Sequence, residues 1–120
     1  MADHIVLIVE DDLLVARSLS RVIRRSVGVE ILCVAIEDAV TAAAIGIDYL
    51  HDYRPSVVIV DGLDGLAEEV VLAANDRQIP AILYTGMPEK YQNLKVPVYG
   101  KPDHEALLSA VTEHIGEQKS

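Results

Sequence analysis

The amino-acid sequence predicts an α/β fold: a doubly wound, five-stranded parallel sheet with helices on both faces, built by one domain over residues 1–120. Three observations carry this expectation. Five short aliphatic runs recur along the chain, segments of helical spacing separate them, and the runs are apolar throughout instead of alternating. Strands without alternation are those covered on both faces, as in a parallel sheet between two helix layers.

The first run, Ile5 to Val9, leads into a segment with Val15, Leu19, Val22 and Ile23 on one face. Arg17, Arg21, Arg24 and Arg25 gather on the opposite face, and Gly28 offers a stop. The second run, Ile31 to Ala35, precedes a helix whose apolar face reads as Val40, Ala43, Ala44, Ile47 and Leu50. Val57 to Val60 is the third strand, followed by Leu66, Val70, Ala73 and Ala74 at helical spacing. Ala81 to Tyr84 is the fourth. The crossover after it, Met87 to Lys95, holds a proline and few apolar residues, so the fourth helix is expected to be short or absent. Val96 to Tyr99 closes the set of strands. Leu107, Leu108, Val111 and Ile115 mark the last helix, with Asp103 placed to cap it.

Hydrophobic residues make up 51% of the chain, enough for a core without disulfides or structural metal. Nineteen acidic against ten basic side chains give a net charge of −9, which repels nucleic-acid phosphates and anionic membrane surfaces. Neither is expected as a partner. No segment approaches the roughly 20 apolar residues needed to span a bilayer, and Met1 to Ile5 has no signal-peptide pattern, so the chain reads as cytoplasmic. Cys33 is the lone cysteine, and its neighbours Ile31, Leu32 and Val34 predict a buried, inert thiol. His4, His51, His104 and His114 lack metal-ligand spacing and are assigned to the surface.

In doubly wound sheets the working residues collect beyond the carboxyl ends of the strands. The first strand here ends in Glu10, Asp11 and Asp12, the third in Asp61, the fourth in Thr85, and the fifth in Lys101 followed by Pro102. Clustered carboxylates repel unless a cation intervenes, and a hard divalent ion with oxygen ligands, Mg²⁺ first, suits them. A carboxylate beside such an ion and a lysine is placed to attack phosphorus, because both cations neutralise charge on the equatorial oxygens. Asp61 then reads as the nucleophile and Lys101 as its electrostatic partner.

The acidic cluster Val9-Glu10-Asp11-Asp12, the strand Val57 to Val60 ending in Asp61, Tyr84-Thr85-Gly86 and Lys101-Pro102 together resemble a bacterial response-regulator receiver domain of two-component signalling. The resemblance spans nearly the whole chain in order and is nearest in kind to stand-alone, single-domain receivers with the flavodoxin-like fold. It implies that Asp61 accepts a phosphoryl group. It further implies that Glu10, Asp11, Asp61 and the Leu63 carbonyl hold Mg²⁺, that Thr85, Gly86 and Lys101 meet the phosphoryl group, and that the peptide before Pro102 is cis. The implied partners are a histidine kinase or phosphotransfer protein and an unknown downstream protein. Two departures stand out: Gly62-Leu63-Asp64-Gly65 lacks the family's common Met-Pro pair, and Val98 stands where many receivers carry a switch aromatic, with Tyr99 displaced by one.

Plainer readings compete. Glu10 or Asp12 can serve as a helix cap, and the arginine stripe reads first as a solvated face, although the resemblance implies kinase docking at Arg17, Arg21 and Arg24. The expected function is a phosphorylation switch and not an enzyme, with no output module because the chain ends five residues after Ile115. Its rivals are a degenerate receiver acting as a phosphorylation-independent interaction module, and a metal-dependent phosphohydrolase. The latter is disfavoured by Leu63, which stands where such enzymes place an acidic proton donor.

Overall fold

The structure is a computed structural model and describes residues 4–101 and 103–119. The five apolar runs form strands β1 (Ile5–Glu10), β2 (Glu30–Ala35), β3 (Val57–Val60), β4 (Ala81–Thr85) and β5 (Val98–Gly100). All neighbouring pairs are parallel, in the order β2-β1-β3-β4-β5. The doubly wound fold is therefore as expected. Strand order reverses between β1 and β3, so the chain leaves these two strands in opposite lateral directions and opens a crevice at their carboxyl ends.

Alternate residues of the central strands feed two separate cores. Val6, Ile8, Ile59 and Ile82 pack with Leu19 and Ile23 of α1 (Leu13–Val27) and with Leu107, Val111 and Ile115 of α4 (His104–Lys119). Leu7, Val9, Val58, Val60 and Leu83 pack on the other side with α2 (Ala39–Tyr53) and α3 (Ala67–Asp76). The ends of α1 follow from its sequence. Asp12 accepts hydrogen bonds from the Leu14 and Val15 N–H groups at 3.0 and 3.2 Å, and Gly28 closes the helix with φ 69°. Asp103 caps α4 through the Ala106 N–H at 3.2 Å, as its position predicts.

Several local expectations are corrected. The buried face of α2 is Ala39, Ala42, Ala43, Gly46 and Leu50, while Val40 is 65% exposed and Ala44 also faces solvent. The reason is Gly46. A Cβ there would lie 2.8 Å from Val9 Cγ2, so close approach to β1 rolls the helix onto its small-residue face. The fifth strand starts at Val98 and not Val96, because Pro97 has no N–H to donate and only its carbonyl meets Leu83. Cys33 is exposed. It lies on the edge strand β2, where the arginine-bearing side of α1 leaves it open to a groove with Arg17, Arg21 and Arg24.

Among the histidines, His51 is exposed, but His4 is half-buried against Ser56 Oγ at 3.0 Å, His104 packs on the Tyr84 ring, and His114 is also half-buried. After β4 the chain makes a single 3-10 turn, Pro88–Tyr91, matching the expected short or absent fourth helix. Among the described residues, no helix is long and apolar enough to cross a membrane.

Candidate functional site

The parallel register brings the strand ends together. The Asp61 N–H bonds to the Val9 carbonyl at 2.9 Å, setting the residue after β3 beside the end of β1, and the Lys101 N–H bonds to the Thr85 carbonyl at 2.8 Å. Lys101 Nζ then reaches across the crevice, donating to Glu10 Oε1 at 2.5 Å and to Asp61 Oδ1 at 2.7 Å. The ammonium also lies 5.9 Å from the centroid of the buried Tyr84 ring. Tyr84 stands in the Tyr84-Thr85-Gly86 motif, but nothing in the sequence pointed to its contact with Lys101.

Glu10, Asp11 and Asp61 each present a ligand atom, and these atoms all lie within 4.8 Å of one another. Glu10 is 2% exposed and its Oε2 has no hydrogen-bond partner among the described residues. Burial pushes the Glu10 carboxyl up to about 8, against the opposing pull of Lys101. For Asp61 burial acts the same way, but hydrogen bonding with Asp11 and Lys101, and the ammonium charge, outweigh it and hold the carboxyl below the ordinary aspartate range. Burial would lower the Lys101 ammonium, yet Asp61 and Glu10 keep it above the usual lysine value. An orphaned buried carboxylate oxygen inside an all-oxygen cluster is what a hard divalent cation satisfies, so these residues fit Mg²⁺.

Asp12 stands apart from this cluster, as the cap of α1. The Leu63 carbonyl, the remaining ligand implied by resemblance, accepts the Leu66 N–H at 3.0 Å in the turn Leu63–Gly65, leaving one lone pair for other use. Leu63 itself has φ 49°, and this left-handed conformation directs its side chain into the α2–α3 core, 1% exposed. Pro102, expected to follow a cis peptide, lies outside the described residues.

Above the carboxylates is a cleft of about 420 Å³, bordered by Asp11, Asp61, Thr85, Gly86, Lys90 and Tyr91. Thr85 is buried with its Oγ1 accepting the Met87 N–H at 3.1 Å, and a Cβ on Gly86 would meet nothing within 4 Å. Tyr91 is the residue that sequence reasoning passed over. From the 3-10 turn it donates to the Gly62 carbonyl at 3.3 Å, linking positions 29 apart in the chain. Arg17, Arg21 and Arg24 are exposed and do not join the cluster, although Arg17 borders a groove with Asp11 and Asp12.

No protein-family model and no curated protein matches the sequence. Solved structures do match the fold. A DNA-binding response regulator of the LuxR family from Staphylococcus aureus is 22% identical, with a TM-score of 0.66 over 92% of this chain and 98% of that one. A two-component transcriptional regulator AraC from Clostridium phytofermentans ISDg is 20% identical, with a TM-score of 0.67 over 95% and 93%. A response regulator receiver modulated diguanylate cyclase from Pelobacter carbinolicus is 20% identical, with a TM-score of 0.63 over 97% and 95%. The chain has the receiver fold. Within the receiver fold the acidic cluster occupies the crevice at the reversal of strand order, and Lys101 enters it from the neighbouring strand end.

Proposed function

We propose that this chain is the phosphoacceptor of a two-component phosphorelay, taking a phosphoryl group onto Asp61 from a histidine kinase or phosphotransfer protein and signalling to a downstream protein. The observation that carries the reading is the Lys101 ammonium held between Glu10 and Asp61 under an open cleft, in a receiver fold. Asp61 is ionised by that contact, so an oxygen lone pair is free to form the new P–O bond. As it forms, the P–N bond to the donor imidazole breaks and the electron pair leaves with the ring nitrogen. Lys101 Nζ then neutralises one phosphoryl oxygen, and the Thr85 hydroxyl donates to another.

Glu10, Asp11, Asp61 and the second lone pair of the Leu63 carbonyl would hold Mg²⁺, which supplies charge neutralisation on the transferred group. The chain is a switch and not a turnover enzyme: the residue two beyond Asp61 is Leu63, whose side chain is buried in the core and has no proton to give. The net charge of −9 disfavours nucleic acid as the direct target of this domain, and a cytoplasmic site of action follows from the kinase partner. The exposed Arg17, Arg21 and Arg24 are the docking surface proposed for that acidic or phosphorylated partner. Incubation with acetyl phosphate and Mg²⁺ tests the reading. A base-labile acyl phosphate mapped to Asp61, absent in Asp61→Asn, is expected; labelling that survives the substitution refutes it.

A further inference from the structure

We infer that Tyr91 is a positioning residue of the phosphoacceptor site, coupling the state of Asp61 to the loop after β4 in place of an aromatic on β5; this rests on the receiver function proposed above. The first observation concerns Gly62. Its φ of −59° is open to any residue, so no backbone conformation demands glycine there. Its neighbours give it meaning instead. A Cβ on Gly62 would stand 2.7 Å from Tyr91 Oη, 3.2 Å from Tyr91 Cζ and 3.3 Å from Thr85 Oγ1. Any side chain next to the phosphoacceptor would therefore displace the Tyr91 hydroxyl and crowd that of Thr85.

The second observation is how the 3-10 turn Pro88–Tyr91 is tied down. Thr85 Oγ1 accepts the N–H of Met87 at its start, and Tyr91 at its end donates to the Gly62 carbonyl. Both ties end on residues flanking Asp61 or facing it across the cleft. The Tyr91 bond is long, at 3.3 Å, and a weak hydrogen bond of this length is readily exchanged for another acceptor. The third observation is placement. Tyr91 and Val98 pack against the same core, on the α2–α3 side of the sheet, whereas Tyr99 packs against the other core. Valine has one stiff torsion and little volume, and Tyr49 on the same side does not border the cleft, so Tyr91 is the aromatic placed to respond there.

A phosphoryl group on Asp61 would enter the cleft that Tyr91 borders and draw the Thr85 hydroxyl toward its oxygens. The Met87 tie then shifts at one end of the turn while the ring gives way at the other, and the loop moves as a unit between two populated states.

The test uses the full chain with its five tyrosines replaced by 3-fluorotyrosine. The Tyr91 fluorine resonance is identified by its loss in Tyr91→Phe, and beryllofluoride with Mg²⁺ serves as the phosphoryl mimic. A bound beryllofluoride resonance together with displacement of the Tyr91 resonance is expected. Without ligand, Gly62→Ala should place the Tyr91 resonance near its ligand-bound position. Amide exchange supplies a second readout: the ligand-induced change in residues 87–94 should be reduced in Tyr91→Phe, which keeps the ring but lacks the tie to Gly62, and be lost in Tyr91→Ala. A bound beryllofluoride signal with an unmoved Tyr91 resonance, or an intact loop response in Tyr91→Ala, overturns the inference. Absence of bound beryllofluoride instead refutes the receiver function, and the coupling falls with it.

Discussion

Lys101 Nζ and Asp61 Oδ1 are 2.7 Å apart at the ends of β5 and β3, with the ammonium also shared by Glu10. One ammonium thus faces two carboxyl groups in the metal-free protein, with Asp61 held ionised and Glu10 pushed up to about 8. Lys101→Met is expected to destabilise the metal-free protein by about 1–2 kcal/mol, a figure reduced from that of a fully buried pair because the lysine is partly exposed. It should also slow phosphorylation of Asp61 at least roughly tenfold, the effect of about 1.4 kcal/mol on a barrier. Urea melts in EDTA and acetyl phosphate labelling measure the two; an unchanged labelling rate contradicts the electrostatic role.

Asp11 and Asp12 are neighbours in sequence with different work in the fold. Asp11 joins the carboxylate cluster, whereas Asp12 caps α1. Asp11→Asn should weaken Mg²⁺ binding in calorimetry far more than Asp12→Asn. Asp12→Ala should cost about 1 kcal/mol of stability through the lost cap. Equal losses of Mg²⁺ affinity would mean the register is wrong by one.

Glu10 sets a pH dependence of stability. Its carboxyl titrates near 8 in the folded chain against 4.5 as the ordinary value, chiefly because it is buried. The folded state therefore binds more protons between these values, and the Glu10 contribution is fully present below about pH 4.5 and is lost as pH rises through about 8. Asp61, with a lowered value, contributes above the ordinary aspartate range and loses that contribution only on acidification; Lys101, with a raised one, loses its contribution only at strongly alkaline pH. Chemical denaturation in EDTA should show stability falling by about 1–2 kcal/mol over this window after allowance for solvent at the cleft. Glu10→Gln should flatten the decline. A slope unchanged in that variant would assign it to another group.

Met87 stands at the cleft mouth, 51% exposed, and cannot orient an attacking water. The acyl phosphate should hydrolyse slowly, and Met87→Glu should shorten its lifetime in a phosphate-release assay. Leu63→Asn is a poor companion test despite its matching position, because it removes a buried side chain from the α2–α3 core and should destabilise by about 1.5–3 kcal/mol. A lifetime unaltered in Met87→Glu argues against control from this rim.

Thr85 holds the loop as well as facing the cleft. Thr85→Ala removes the acceptor of the Met87 N–H, so amide exchange across residues 87–94 should quicken without ligand, and the response to beryllofluoride should shrink. A response that centres on Val98 and Tyr99, and survives in Thr85→Ala, would place the route on β5 instead.

The sequence by itself determined the strand order of events along the chain and the residues at the strand ends, because both are local. Apolar runs without alternation mark buried parallel strands, and the first polar residues after them must emerge at one edge of the sheet, which is why Glu10, Asp11, Asp61, Thr85 and Lys101 were legible as a group. The cap at Asp103 and the stop at Gly28 were legible for the same reason, whereas the sequence left Asp12 open between cap and acidic cluster.

Only the tertiary structure decided what depends on close approach between distant segments. The roll of α2 follows from the fit of Gly46 against Val9, the exposure of Cys33 from the edge position of β2, and the inward turn of Leu63 from its left-handed backbone. Tyr84 beneath Lys101 and Tyr91 against Gly62 are likewise contacts across the fold. A periodicity tells which residues share a face but not how far that face is rotated. The rotation is settled by van der Waals contact with a partner many residues away, and that contact has no local sequence signal.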